Sequence, residues 1–180
     1  MAHQKAFWII LIVLMTGTAS LKAQVSVDHY YGDGIRYVRS QQEVLYDNYF
    51  HAAQFAVSAT VNNGMVAFSL EVTYQEGMLH VSQGDSLTLV LRGGDHVILK
   101  TDRGTGREDV IKRHFRDRNE YYVTCHYMMS NYDIQRITRN RVTKLSAQTG
   151  NMTFDRKLDN FQDRFRRQFT ALYRYLMNNK

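Results

Sequence analysis

The 180-residue sequence predicts an α+β or mainly β fold: an antiparallel meander forming a sandwich or partial barrel, one short helix, and a long C-terminal amphipathic helix packed on the sheet. Three observations carry that expectation. The first is the Asn63-Gly64 dipeptide, which readily supplies the two positive φ angles of a type I′ hairpin. Folding there sets Val61 opposite Val66, Ala59 opposite Phe68, Val57 opposite Leu70 and Phe55 opposite Val72, so every pair on one face is apolar. A one-residue slip would exchange the two faces, which makes this register well specified. The second is a succession of further alternating runs punctuated by Gly and Asp. The third is the stripe Leu158, Phe161, Phe165, Phe169, Leu172 and Leu176, which recurs at helical spacing and must be buried against something.

In chain order, residues 1–23 read as a secretory signal, with Lys5 in a basic start, Ala6 to Met15 unbroken apolar, and Thr16 to Ala23 small and polar. The apolar run is shorter than the about 20 residues a spanning helix needs, and no later run approaches that length. Cleavage is expected after Ala23, with Ser20 as the alternative. The product, residues 24–180, is expected to be an exported single domain, periplasmic or extracellular, with no transmembrane segment. It has no proline and no Ser- or Gly-rich linker, and its lone cysteine, Cys125, leaves packing rather than an internal disulfide to hold it.

Val25 to Asp33 has no clear period and ends in the Gly32-Asp33-Gly34 turn, and Ile35 to Asp47 reads as a strand breaking near Ser40 to Gln42. The meander runs from Phe50 to Thr101. Its Glu76-Gly77 turn sets Tyr74 against Leu79 and Val72 against Val81. Ser86 to Arg92 and His96 to Thr101 alternate around Gly93-Gly94-Asp95, where a three-residue loop puts Leu91 opposite Val97 and Leu89 opposite Leu99. Signals conflict over residues 106–116: Thr105 to Glu108 matches a capping box, yet Glu120 to Met128 alternates cleanly, and the preferred reading makes Val110 to Phe115 its partner strand. Ser130-Asn131-Tyr132-Asp133 is a second capping box, followed by Ile134 and Ile137 at helical spacing and by Asn140 at C′. Arg141 to Thr149 is a strand, Asn151 to Thr153 a break, and residues 155–178 the long helix, where Asp163 and Arg167 stand four apart for an ion pair.

The succession Tyr121-Tyr122-Val123, Tyr127, Ser130-Asn131-Tyr132-Asp133-Ile134 and Val142-Thr143-Lys144-Leu145 resembles a segment recurring in uncharacterised secreted β-rich proteins of the Bacteroidota, over roughly residues 65 to 149. The resemblance implies an envelope or extracellular address. It brings no catalytic residues with it.

Charge is divided unevenly. Residues 24–99 carry three basic and eight acidic side chains, a balance of −5, and residues 100–180 carry 18 and nine, a balance of +9. This suggests a basic face for an anionic partner, although a solvated surface or basic elements docked on an acidic sheet would produce the same asymmetry. The candidate ligand-binding residues are Arg136, Arg139, Arg141, Lys144, Arg166 and Arg167, with Tyr122 and Tyr132, and also Tyr30 and Tyr31, as exposed aromatic rings. The implied partners are an anionic glycan, a lipopolysaccharide surface or an acidic protein, and expected export argues against nucleic acid. No metal-ligand spacing, nucleophile elbow or phosphate loop occurs, so no catalytic residue, metal or cofactor is assigned. Cys125 and His126 cannot act together, because strand neighbours point to opposite faces. The expected function is that of an exported non-catalytic binding protein, the alternative being a hydrolase of envelope polymers.

Overall fold

The computed structural model describes residues 25–47, 52–75, 80–106, 109–115, 118–149, 152–158 and 161–179. Eleven strands form one open, fully antiparallel sheet: β1 (Val25–Tyr30), β2 (Ile35–Ser40), β3 (Glu43–Asp47), β4 (Ala52–Asn62), β5 (Met65–Tyr74), β6 (Ser86–Leu91), β7 (His96–Thr101), β8 (Val110–Phe115), β9 (Arg118–Met129), β10 (Val142–Thr149) and β11 (Met152–Lys157). The helices are α1 (Asn131–Arg139) and α2 (Phe161–Asn178). The spatial order is β1-β2-β4-β5-β9-β7-β6-β10-β11, with β3 also on β4 and β8 also on β9.

The founding hairpin forms as the alternation requires. Asn63 and Gly64 take φ of 49° and 80°, and β4 pairs with β5 from Asn62↔Met65 to Ala53↔Tyr74, through all four apolar pairs. The strand expected from Ile35 to Asp47 breaks where foreseen, into β2 and β3. At the break the Ser40 hydroxyl accepts the Val57 N–H at 2.9 Å, replacing a ladder bond, before pairing resumes at Glu43↔Phe55. Residues 110–115 are indeed a strand, antiparallel to β9. Ser130 and Asp133 close a reciprocal capping box on α1; Asn140 ends the helix in extended rather than left-handed backbone.

Four expectations need correction. The meander does not continue past β5: its free edge takes β9, so Val72 lies opposite Cys125 rather than Val81, and Tyr74 opposite Val123 rather than Leu79. The stretch 76–79 is outside the described residues, and Val81 is instead a buried loop residue bonded to Thr105. The twelve-residue β9 offers Val123, Cys125, Tyr127 and Met129 on one face, a longer apolar partner than the stretch after the turn. Second, the β6–β7 loop has three residues but is shifted, setting Leu89 opposite Val97 and Leu87 opposite Leu99. An even shift keeps the leucines inward, which explains why alternation alone did not resolve it. Third, Met152 to Lys157, partly inside the expected helix, pairs with β10 as an edge strand, and α2 begins at Phe161. Fourth, Asp163 pairs with Arg166 at 3.1 Å, while Arg167 turns to Glu43.

The inner face carries Phe55, Val57, Leu70, Val72, Tyr127, Leu89, Val97 and Leu145, all at most 1 % exposed, in one core with Ile134 and Ile137 of α1 and the α2 stripe. At about 4.8 Å per strand the sheet is roughly 40 Å wide, whereas a helix is about 10 Å across. Two helices cannot bury so wide a flat face, so the sheet curls around them. Its halves meet at β7–β9 through only Lys100↔Met128 and Thr101↔Tyr127. Phe161 packs on Phe55 with ring centroids 5.1 Å apart, and Phe169 on Phe68 at 5.2 Å. Phe165→Ala, at a wholly buried position of that stripe, should cost about 4 kcal/mol and lower the melting temperature by roughly 10 °C in a calorimetric scan.

Candidate functional site

Two constellations stand out, one on each face of the sheet. On the outer face Glu71 of β5 is only 2 % exposed. Its carboxylate accepts the Tyr37 hydroxyl and, at 2.5 Å, the Arg39 Nε–H, both from β2. His126, its cross-strand neighbour on β9, brings Nδ1 to 3.8 Å, too far for a hydrogen bond. Burial pushes the Glu71 carboxyl up, but the Arg39 charge and the hydrogen bonds from Arg39, Tyr37 and Ser58 outweigh it and hold the group below the usual glutamate range. Beside it, Gln42 in the break after β2, Thr73 of β5 and Thr124 of β9 form a separate chain of hydrogen bonds. Both Glu71 carboxylate oxygens are engaged and covered, so the cluster ties β2 to β5 and has no atom poised for a substrate. Cys125 points to the opposite face from His126, and burial pushes its thiol up to about 12, far from a reactive thiolate.

The second constellation is a cavity of about 480 Å³ where the end of α2 meets β1, β2 and the β4–β5 hairpin. Its floor is Phe68 and Leu176, both buried, with Val61 beside them. Tyr30, 64 % exposed, Tyr173, 50 % exposed, Val66 and Met177 surround the mouth. Gly64 lines it because the type I′ turn demands positive φ there, and so no side chain projects into the opening.

One polar cluster is set into this apolar wall. Arg36 donates Nε–H and Nη2–H to the two oxygens of Asp28 at 2.9 and 2.8 Å and Nη1–H to the Asn179 carbonyl. The Tyr175 hydroxyl also donates to Asp28 at 2.8 Å. The Arg36 hydrogen bond dominates in holding the Asp28 carboxyl below its ordinary range. Arg36 also lies 5.0 Å over the Tyr30 ring and 5.7 Å from that of Tyr175. Three of its five N–H donors are thus engaged inside the protein, and its charge is matched by Asp28.

The residues singled out by charge are scattered. Lys144 pairs with Asp155 at 2.5 Å, Arg166 with Asp163, Arg167 with Glu43 at 3.1 Å and Arg136 with Asp95 at 3.2 Å. Arg139 and Arg141 are exposed, with no ion pair among the described residues. Tyr122 donates to Glu120 on the outer face of β9, and Tyr132 stands exposed on α1 beneath Arg136. Of the rings expected to be exposed, only Tyr30 lines the cavity. Arg36, Phe68, Tyr173 and Met177 escaped notice because about 140 residues separate the first from the last, and no local spacing links them. No protein-family model matches the chain, and comparison with curated proteins and with solved structures gives no match.

The Glu71 cluster makes stability depend on pH. Its folded-state pKa lies below the unfolded one, so its contribution is complete above the ordinary glutamate range and is lost as the pH falls through it. Urea unfolding over a pH series should therefore show a loss of stability below about pH 5. Glu71→Gln should cost about 3 kcal/mol at neutral pH, by stranding Arg39, and should flatten that acid limb.

Proposed function

We propose that the protein is an exported, non-catalytic binding protein whose cavity at the end of α2 takes the apolar body of an uncharged amphiphile. The observation that carries this reading is the cavity itself: about 480 Å³, floored by buried apolar side chains, ringed by exposed tyrosines and methionine, and holding one cation already neutralised. Its size suits a small organic ligand. The Arg36–Asp28 pair is electrically balanced, so an anionic headgroup gains little there. The two Arg36 N–H bonds that have no partner among the described residues would serve a hydroxyl or carbonyl oxygen.

A glycan is less well served, because sugar hydroxyls need many hydrogen-bond partners and the lining is mostly Val, Phe, Leu and Met. A hydrolase would need an acid or base free to move a proton within about 3 Å of the reacting group. Among the lining residues Arg36 is the one permanent charge, and it is paired, which favours binding over hydrolysis.

The fluorescent apolar probe N-phenyl-1-naphthylamine tests the reading, since an aqueous dye brightens on entering an apolar site. The protein should enhance its emission saturably, and decanol should displace it at lower concentration than decanoate. Met177→Trp, on an exposed residue of the rim, should fill the mouth and weaken the probe about tenfold or more while leaving circular dichroism unchanged. Equal binding by parent and variant, or displacement by decanoate alone, would remove the proposal.

A further inference from the structure

Part of the basic excess of the chain gathers at one corner. The β6–β7 turn carries Arg92, and its backbone N–H donates to the Arg141 carbonyl at 2.7 Å, bringing the start of β10 against the turn. Arg136, in the last turn of α1, reaches Asp95 across the same turn at 3.2 Å. Arg139 ends that helix. Four arginines therefore lie around one aspartate, a balance of +3 among these five described residues. Arg92, Arg139 and Arg141 are exposed and have no ion pair among the described residues. Elsewhere Arg103, Lys144, Arg166 and Arg167 each meet a carboxylate.

From this we infer that the corner is a docking surface for an acidic polysaccharide, separate from the cavity. Gln162, in the first turn of α2, bonds the Thr138 carbonyl beside the corner, and the cavity lies towards the other end of the same helix, about 20 Å along its axis. Crowded like charges repel one another, and an anionic chain relieves that repulsion while displacing only water and small ions. Two of the arginines, Arg136 and Arg139, also complement the carbonyl end of α1, an effect that accounts for part of their placement and none of that of Arg92 or Arg141. Between Arg92 and Asp95 stand Gly93 and Gly94, with φ of 104° and 95°. They leave the turn without side chains, so that an extended polymer can lie across it. Guanidinium forks match carboxylate and sulfate groups in pairs. The Tyr132 ring is engaged with Arg136 at 5.4 Å, so the corner presents charge rather than a free stacking platform, which favours an acidic sugar chain over single-stranded nucleic acid.

Binding of fluorescently labelled heparin, a sulfated polysaccharide, is the test, followed by anisotropy at rising salt. Arg139→Glu with Arg141→Glu should weaken binding roughly tenfold at low ionic strength and make it less salt-dependent. The charge-matched control, Arg166→Glu with Arg174→Glu on the exposed side of α2, should bind like the parent. Because glutamate near the end of α1 opposes the helix dipole, Arg139→Gln with Arg141→Gln provides a second variant, expected to shift binding in the same direction by less. Absence of heparin binding by the parent, or equal weakening in the corner variant and the control, would overturn the proposal. So would tighter binding to oligothymidylate than to a heparin fragment of equal charge, which would make the partner a nucleic acid.

Discussion

The structure depends on the burial of one sheet face, chiefly by α2 with α1 beside it. β4, β5, β9, β7, β6 and β10 all turn apolar side chains inward, and an open sheet with that face exposed would aggregate rather than persist. The aromatic stripe of α2 meets this demand, with Phe161 against Phe55 and Phe169 against Phe68, while Phe161, Phe165 and Phe169 continue along the helix with centroids 5.8 and 6.4 Å apart. Each fully buried Phe contributes roughly 2–3 kcal/mol from transfer alone. The polar contacts of α2 are fewer and set its position: Arg167 and Gln168 hold Glu43 near its start, and Tyr175 and the Asn179 carbonyl hold Asp28 and Arg36 at its end.

These clamps also explain much of the uneven charge along the chain. Glu43, Asp28 and Asp95 belong to the acidic half of the sequence, and Arg167 and Arg136 to the basic half, so part of the asymmetry is used in docking late elements on early ones. The outer face follows a different rule. A buried carboxylate is destabilising unless it is neutralised and hydrogen-bonded. Glu71 is retained because Arg39 and Tyr37 converge on it from β2, across the small Ala56 and Ser58 of the intervening β4. The two faces of the sheet are thereby committed to cohesion, and the two surfaces proposed to meet partners lie towards the two ends of α2.

Local chemistry made several features legible in the sequence itself. The β4–β5 register follows from Asn63-Gly64 and flanking alternation within about ten residues, and the start of α1 from Ser130 and Asp133 three positions apart. The α2 stripe is likewise a matter of i, i+3 and i+4 neighbours, and the break of β2 near Ser40 showed as lost alternation. Gly150 and Asn151 are a hairpin signal that would have revealed β11 before the structure did, since Thr149 pairs with Met152 directly across them.

What only the tertiary structure decided was choice of partner. Nothing local distinguishes β9 from the stretch after Glu76-Gly77 as the neighbour of β5, because either could offer an apolar face; the longer strand prevailed by burying more of it. The cavity is a product of the same choice, assembled from Tyr30, Arg36, Val66, Phe68, Tyr173 and Met177, which meet only after the sheet has curled around α2. The sequence alone determined which residues are inward, because alternation and helical period act between near neighbours. Which inward residues touch, and which basic side chains find a carboxylate, depends on free energies of burial and pairing summed over the whole chain.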